Sequence, residues 1–516
     1  MTEVSATPAP LAGRALSITA VAVALGAFMQ VLDASIANVS LPTIAGDLGV
    51  STDQGTWVIT AFAVANGVSV PLTGWLMGRY GVVRTYVASV ILFTLASLLC
   101  GLAWNLISLV GFRILQGGVS GPMIGGSQAL LISIFPANRR GAALAIWAMT
   151  TMLAPICGPL LGGFISDNYT WPWIFLINVP VGVTCAILCW RGLASRETPT
   201  LKTSIDMTGL ALLVIWVGAL QVMLDTGKNA DWFASPVIMA EAIIAAVGCL
   251  AWIIWEVTES NPIVDLSLFR TRNFAFGAVA TCLGYGVFFG NTVFQSVWLQ
   301  TRMGYIATWA GLTAAPAGVV AVMFSPFVAR FMARFDARWV ASFSLAAFAV
   351  AMWMRAGFTQ DADFVTLMLP SLVQGAAIAT FFVSLITIML NGVPASQLPK
   401  ATGLANFARI TAGAFGASTT ITLWDSRAAL HQTRLVEAAG VSDPALPLSF
   451  DKLTHAGLSA PQALSVLNQQ FDAQAYLLAT LDVFAGSALV MLLLIPCIWL
   501  TRPAGGTGSG APVAAD

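Results

Sequence analysis

Gln30-Val31-Leu32-Asp33-Ala34-Ser35-Ile36-Ala37-Asn38 lies inside an apolar run that begins near Ile18 and ends near Pro42. About 20 apolar residues are enough to cross a bilayer as a helix. At about 1.5 Å rise per residue, Asp33 then sits roughly 20 Å into hydrocarbon about 30 Å thick. A carboxylate at that depth costs about 2.5–3.5 kcal/mol on insertion scales. It needs a partner, or a water-filled or protein-lined pathway.

The whole chain shares this apolar character. Of its 516 residues 58% are hydrophobic and 9% charged, and mean hydropathy is +0.83. Soluble domains carry about 25% charged residues, so an all-α polytopic membrane protein is expected. The net charge of zero argues against a nucleic-acid partner. Arg14 alone precedes the first run, Asp33 interrupts it and no small-residue cleavage site follows, which predicts an uncleaved span. All seven cysteines fall in apolar runs without histidines at ligand spacing, so neither a disulfide nor a metal site is inferred.

Fourteen runs are long enough to span, from 18–40 and 56–76 through to 402–424 and 477–500. An even number places both termini on one side. Of the 23 Lys and Arg residues, fifteen fall on that side, six on the other, and Arg113 and Arg409 inside spans. The excess predicts cytoplasmic termini. An internal repeat accompanies the count. Gln116-Gly117 and Pro136-Ala137 return 258 residues later as Gln374-Gly375 and Pro394-Ala395, and Pro71, Met77 and Arg79 return 255 residues later as Pro326, Met332 and Arg334. Parallel repeats of this kind build transporters. The expected organisation is a tail (1–17), a six-helix bundle (18–191), two inserted helices with their loops (192–272), a second bundle (273–500) and a disordered tail (501–516). The second bundle contains a hydrophilic loop at 425–476, which holds both histidines, His431 and His455, read as surface residues.

Helical spacing puts Gln30, Asp33, Ala37 and Ser40 on one stripe, with Asn38 about 140° away from it. Arg113, Gln116, Gly117 and Ser120 share a face of span 4, and Asn406, Arg409 and Gly413 share one of span 13. Asp33 is the candidate partner of Arg113. A static pair pinning spans 1 and 4 is the plain alternative to a proton site. Burial raises a carboxyl pKa and a nearby guanidinium lowers it, so a change in water access would move a proton on or off Asp33. Glu241, early in span 8, is a second candidate carboxyl, whereas Asp225 and Asp482 read as interfacial. Gly117, Gly121 and Gly125, like Ala154, Gly158 and Gly162, form small-residue ridges for close helix packing, and Pro155 and Pro159 interrupt the backbone ladder of span 5.

These residues carry a resemblance. Leu32-Asp33-Ala34-Ser35-Ile36-Ala37-Asn38-Val39-Ser40-Leu41-Pro42, Arg113-Ile114-Leu115-Gln116-Gly117 and Gly158-Pro159-Leu160-Leu161-Gly162-Gly163 resemble the signatures of fourteen-helix drug:proton antiporters of the major facilitator superfamily. Trp173 to Pro180 and Asn261 to Phe269 fit as well, and the match extends from about Leu25 to Thr501. It is most similar to the EmrB-type inner-membrane subunit of tripartite multidrug efflux pumps. The segment Gly74-Trp75-Leu76-Met77-Gly78-Arg79-Tyr80-Gly81-Val82-Val83-Arg84 departs from the superfamily pattern, with glycine at 78 in place of an acid.

The resemblance implies two six-helix bundles plus two inserted helices, and a proton-driven exporter of hydrophobic, structurally varied compounds, neutral or weakly acidic, that needs no cofactor. It places proton coupling at Asp33 and Arg113. Gly74, Arg79, Gly81, Arg84, Gly158, Pro159, Gly162 and Gly163 become conformational-switch residues. The expected substrate site lies between the bundles, lined by Gln30, Asp33, Tyr285, Phe288, Phe289, Asn291, Gln295, Gln374, Phe381, Asn406 and Arg409. Implied partners are the lipid bilayer of the bacterial inner membrane, small hydrophobic drugs, a periplasmic membrane-fusion adaptor of EmrA type and an outer-membrane channel of TolC type. No span carries a catalytic constellation, so an enzyme is not expected. The competing reading is a stand-alone exporter or a proton symporter of one metabolite.

Overall fold

The computed structural model describes residues 11–136, 139–200, 205–230, 232–260, 262–394, 397–438 and 445–503, and every regular element in them is helical. Fourteen long helices follow one another: α1 (Gly13–Asp47), α2 (Trp57–Tyr80), α3 (Val82–Gly101), α4 (Leu106–Ile134), α5 (Arg140–Asn168), α6 (Asn178–Leu193), α7 (Met207–Thr226), α8 (Pro236–Thr258), α9 (Arg272–Thr301), α10 (Ala307–Arg334), α11 (Ala337–Arg355), α12 (Phe364–Leu390), α13 (Leu398–Ala438) and α14 (Ala460–Trp499). Their starts follow local chemistry. Asn105 and Ser108 form a reciprocal capping box at α4, Asp206 caps α7, and Asp363 caps α12.

Twelve of these helices are long and apolar enough to cross a bilayer. The other two, α4 and α13, carry buried polar residues: Arg113, Gln116, Ser120 and Gln128 in one, Thr402, Asn406 and Arg409 in the other. On the outside, Ile243, Val247, Leu250 and Ile254 of α8 are each more than half exposed. Water would penalise that surface; lipid accommodates it.

The helices pack as two copies of one plan. In the first half α1 rests on α5 and α6, α2 and α3 on α4, and α3 on α6. In the second, α9 rests on α13 and α14, α10 and α11 on α12, and α11 on α14. Glycines at matching positions allow the close approaches. A Cβ on Gly117 of α4 would lie 2.5 Å from the Phe62 carbonyl oxygen of α2, and one on Gly375 of α12 would lie 2.5 Å from the Ala317 carbonyl oxygen of α10. The halves meet along α5–α10 and along α2–α13. Beside the second seam stands the inserted pair: α7 packs on both α2 and α13, and α8 packs on α7.

The hydrophilic segment expected between the last two spans, 425–476, is largely helical among the described residues. Asp425–Ala438 continues α13, Ala445–His455 is a short helix, and Ala460–Tyr476 opens α14. No glycine or proline interrupts 417–438, and Ser459, Pro461 and Gln462 supply a capping box with proline in the first turn. His431 is not free on the surface: its Nε2 lies 2.8 Å from Asp482 of α14, and Arg427 approaches the same carboxylate at 3.6 Å. Arg302, just past the end of α9, joins this bracket, 2.6 Å from Asp472 and stacked 3.4 Å over Tyr476.

Candidate functional site

A cavity of about 420 Å³ opens between the halves, toward the end of the molecule away from both termini. That volume suits a drug-sized ligand. Its walls are Gln30, Val31, Ala34, Ser35 and Asn38 of α1, Phe62 and Asn66 of α2, Arg113 of α4, Gln221 and Asp225 of α7, Tyr285 and Phe289 of α9, and Arg409, Gly413 and Ser418 of α13. Below it the halves are tied: Asn406 of α13 donates to the Gln128 side-chain oxygen of α4 at 3.2 Å. Arg409 forms the floor, 4.6 Å from the ring centre of Tyr285 and 6.0 Å from that of Trp147, with Asn406 accepting from it at 3.3 Å.

Asp33 lies one step behind this surface. It is 1% exposed, on the flank of α1 turned into the first half, and is not among the lining residues. The cavity face of α1 is the Gln30–Ala34–Asn38 stripe, so Asn38, which the spacing had set apart, is on the wall and Asp33 and Ser40 are off it. Three donors converge on the Asp33 carboxylate: Arg113 Nη1 at 2.5 Å, Gln116 Nε2 at 3.0 Å and Asn178 Nδ2 of α6 at 2.7 Å. Arg113 also donates to the Val58 carbonyl at 3.1 Å and to the Gln116 side-chain oxygen at 2.6 Å, and its guanidinium covers Phe62 at 4.2 Å. Charge and counter-charge are thus both fully buried, a pair whose desolvation is offset only because its other lone pairs and protons are also satisfied.

The second half repeats this cluster without the acid. Asn291 stands 258 residues after Asp33 and donates to Ser487 of α14 at 2.8 Å, the reverse of the first half, where Asn178 of α6 donates to Asp33. Gln374, the counterpart of Gln116, accepts from Arg355 of α11 at 2.5 Å, and Ser371 accepts from Arg355 at 3.3 Å. Arg355 is 1% exposed, so it joins Arg113 and Arg409 as a third buried arginine. Among the described residues no carboxylate answers it.

The other expected site residues distribute as follows. Phe288, Gln295 and Gln374 line a second, much smaller hollow with Pro155, between α5, α9, α10 and α12. Asn291 is buried beside α14, and Phe381 packs on Phe348 and Phe382 inside the second half; neither lines the main cavity. Glu241 is half-buried on α8 and also absent from the cavity wall. Among the switch residues, Gly158 of α5 leaves no room for a side chain against Ser35 of α1, Gly162 faces Ile36, and Gly163 is buried in the same helix. Pro159 lies in α5, with its side chain outside the described residues. Having no N–H, it leaves the Pro155 carbonyl without a helical partner, and Ser35 donates to that carbonyl at 3.2 Å.

Gly74 and Gly78 face open space, and Arg79 closes the last turn of α2. Gly81 adopts φ +93°, a conformation that favours glycine. Glu197, following α6, accepts from the backbone N–H groups of Val83 and Arg84 at 3.0 and 2.8 Å and lies 3.9 Å from the Arg84 guanidinium. A carboxylate at the start of α3 suits the helix dipole. A Cβ on Gly81 would lie 2.9 Å from Glu197 Cγ. Gly81→Ala is therefore expected to destabilise the protein by about 1–3 kcal/mol through the strained φ alone. The check is thermal unfolding in detergent by tryptophan fluorescence, where an unchanged midpoint would contradict this role.

Sequence reasoning passed over Asn178, Gln128, Asn66 and Arg355, and set Asp225 aside as interfacial. Asn178 was visible only as part of the Trp173–Pro180 signature. Asp225 lines the cavity and accepts from Thr60 of α2 at 2.7 Å.

Two helical halves around a central cavity, with a buried ion pair behind its wall, define a secondary transporter. Comparison with known proteins names the family. The Major Facilitator Superfamily profile matches residues 23–417, and the chain belongs to that superfamily: it is a multi-pass membrane transporter, not an enzyme. It is 46% identical to the Multidrug export protein EmrB of Escherichia coli (strain K12) over 506 residues, 97% of this chain and 99% of that one. It is 44% identical to the Fatty acid resistance protein FarB of Neisseria gonorrhoeae over 501 residues, 97% and 99% of the two chains. The crystal structure of the human organic anion transporter MFSD10 (TETRAN) matches with a TM-score of 0.56 at 12% identity, over 94% of this chain and 99% of that one, a likeness of fold alone.

Proposed function

We propose that the protein exports hydrophobic, weakly acidic compounds in exchange for protons, by alternating access. The observation that carries this is the Asp33–Arg113 pair set directly behind the cavity wall, with Arg113 shared between them. When Asp33 takes up a proton on the outer side, its hold on Arg113 is lost and the wall that Arg113 helps to form rearranges, which releases the substrate. When Asp33 gives the proton up on the inner side, the pair re-forms and restores the wall that receives an anionic substrate, so that proton and substrate are held in turn. Arg409 on the floor gives such a substrate a second cationic contact. The absence of an acid at Asn291 leaves this exchange to the first half. Likeness to proteins named for multidrug export and for fatty acid resistance supports both the direction and the acidic preference.

The ends carrying the termini lie in the cytoplasm and the protein in the bacterial inner membrane, so the Asn406–Gln128 tie closes the cytoplasmic side and the cavity faces outward. Export is then handed to a periplasmic adaptor and an outer-membrane channel. The bracketed extensions of α13 and α14, with the helix Ala445–His455, offer the docking surface. Deleting Ala445–His455 without loss of adaptor capture would remove that surface from consideration.

Proteoliposomes test the central claim. An imposed proton gradient is expected to drive accumulation of a weakly acidic dye that is not a protonophore faster than in protein-free vesicles under the same gradient and faster than in proteoliposomes whose gradient has been collapsed by nigericin. Equal rates would remove proton coupling.

A further inference from the structure

Three charged side chains line the cavity, Arg113, Arg409 and Asp225. The first is answered by Asp33. The third is the only acid on the wall among the described residues, and it comes from α7, one of the two inserted helices, not from either repeat. Its carboxylate accepts from Thr60 of α2 at 2.7 Å and from Gln221 at 3.1 and 3.2 Å, and it has no ion-pair partner among the described residues. Two neutral donors leave part of a carboxylate's four acceptor sites uncommitted.

We propose that Asp225 is a recognition residue for protonated amines, which gives the cavity a cation-binding mouth in addition to its cation-lined floor. Its position separates the two. Leu224 is fixed to α13 by the Ser418 hydroxyl, which donates to the Leu224 carbonyl at 2.7 Å. Asp225 therefore stands at about the level of Ser418, nine residues along α13 from Arg409, or roughly 13 Å at helical rise. At that distance Asp225 cannot neutralise Arg409 by contact, and an elongated amphiphile can meet either charge with its body against Phe62, Tyr285 and Phe289. An amine seated on Asp225 would gain a charge-assisted hydrogen bond in a largely apolar setting.

The plain alternative is that Asp225 only fastens α7 across the α2–α13 seam. An amide oxygen accepts from Thr60 as well as a carboxylate oxygen does, so fastening needs no charge, whereas a charge placed in apolar surroundings is expensive. The two roles separate in Asp225→Asn.

The inference rests on the cavity's being the substrate site of an exporter, and the experiment distinguishes the two. Proteoliposomes carrying wild type, Asp225→Asn or Asp225→Glu, with protein-free vesicles as the background, are given a proton gradient and either a monocationic dye (ethidium) or a weakly acidic dye that is not a protonophore. In Asp225→Asn the ratio of ethidium KM to acid KM is expected to rise about tenfold or more, the loss typical of a hydrogen bond to a charged group. Asp225→Glu should return that ratio to within a few-fold of wild type. Direct titration of ethidium fluorescence against detergent-solubilised protein should show the same loss for Asp225→Asn. A ratio that does not move, KM values that rise in parallel, or a wild type that carries the acid and not ethidium would each overturn the role of Asp225 and leave export standing. A wild type that carries neither overturns export and this inference with it.

Discussion

Asp33→Asn is expected to lower proton-driven flux by on the order of 100-fold or more, the usual scale for removing a group that takes and gives a proton. The amide keeps the shape and can still accept from Asn178 or Gln116, so the cavity wall, which Asp33 does not reach, is expected to keep its form. What the substitution removes is the charge opposite Arg113. A buried guanidinium left without its counter-ion costs about 3–5 kcal/mol, and part of any lost activity could come from that instability. The double variant Asp33→Asn, Arg113→Gln separates the effects by removing both charges of a contact that is 2.5 Å long in the native protein. It is expected to regain thermal stability and to remain uncoupled. The decisive measurement is a comparison of gradient-driven flux with substrate exchange at equal pH on both sides, in proteoliposomes. Exchange should persist in Asp33→Asn while gradient-driven flux is lost, and in the double variant it should continue with a raised KM because Arg113, a wall residue, is gone. Native-rate driven flux in a stably folded Asp33→Asn would return the Asp33–Arg113 pair to the role of a structural pin.

The expense of Asp33 was legible because hydropathy alone puts it deep in a span, and Arg113 was its evident partner because so few charges share that depth. The fourteen runs and the 258-residue repeat were legible for a similar reason: both are one-dimensional patterns, and the structure repeats the offset at Asp33 and Asn291 and at Gln116 and Gln374. Facing was not legible. Successive residues of a helix turn by 100°, so Ala34 and Asp33 point to surfaces that belong to different compartments, and only the packing of α5 and α6 onto α1 decides which of them meets the cavity. Arg355 failed for a different reason. It ends its helix, where hydropathy reads a cation as hydrated, yet Gln374 and Ser371 of α12 and Phe484 of α14 close over it. Asp225 is also a helix-end acid, and its role depends on Thr60, 165 residues away in sequence. The extension of α13 beyond the span was carried by ordinary helix-forming residues, whose polarity had been read as a loop.

The α1–α5 contact is where packing and coupling meet, and Gly158→Ala is expected to disturb both. In the native protein the Ser35 side chain occupies the space a Cβ at 158 would take, and the Ser35 backbone carbonyl carbon would lie only 3.0 Å from it. One added methyl must therefore push α1 away from α5, and overpacking of a tight interface costs about 1–3 kcal/mol. The movement acts on function directly, because α1 carries Asp33 on one flank and the Gln30–Ala34–Asn38 wall on another. A shift of a few tenths of an ångström would lengthen contacts that are now 2.5 to 3.0 Å. It would also break the hydroxyl bond by which Ser35 satisfies the Pro155 carbonyl, leaving a buried acceptor unpaired at about 1–3 kcal/mol. Flux under a proton gradient should fall by about tenfold or more, with a lowered unfolding midpoint. The reciprocal change gives the test its specificity. Ser35→Gly removes the obstructing side chain, so Ser35→Gly, Gly158→Ala should recover unfolding midpoint and flux relative to Gly158→Ala, even though Ser35→Gly by itself forfeits the bond to Pro155. Recovery would identify the contact as steric. A double variant no better than the sum of the two single losses would mean that Gly158 serves the bending of α5 and not the approach of α1.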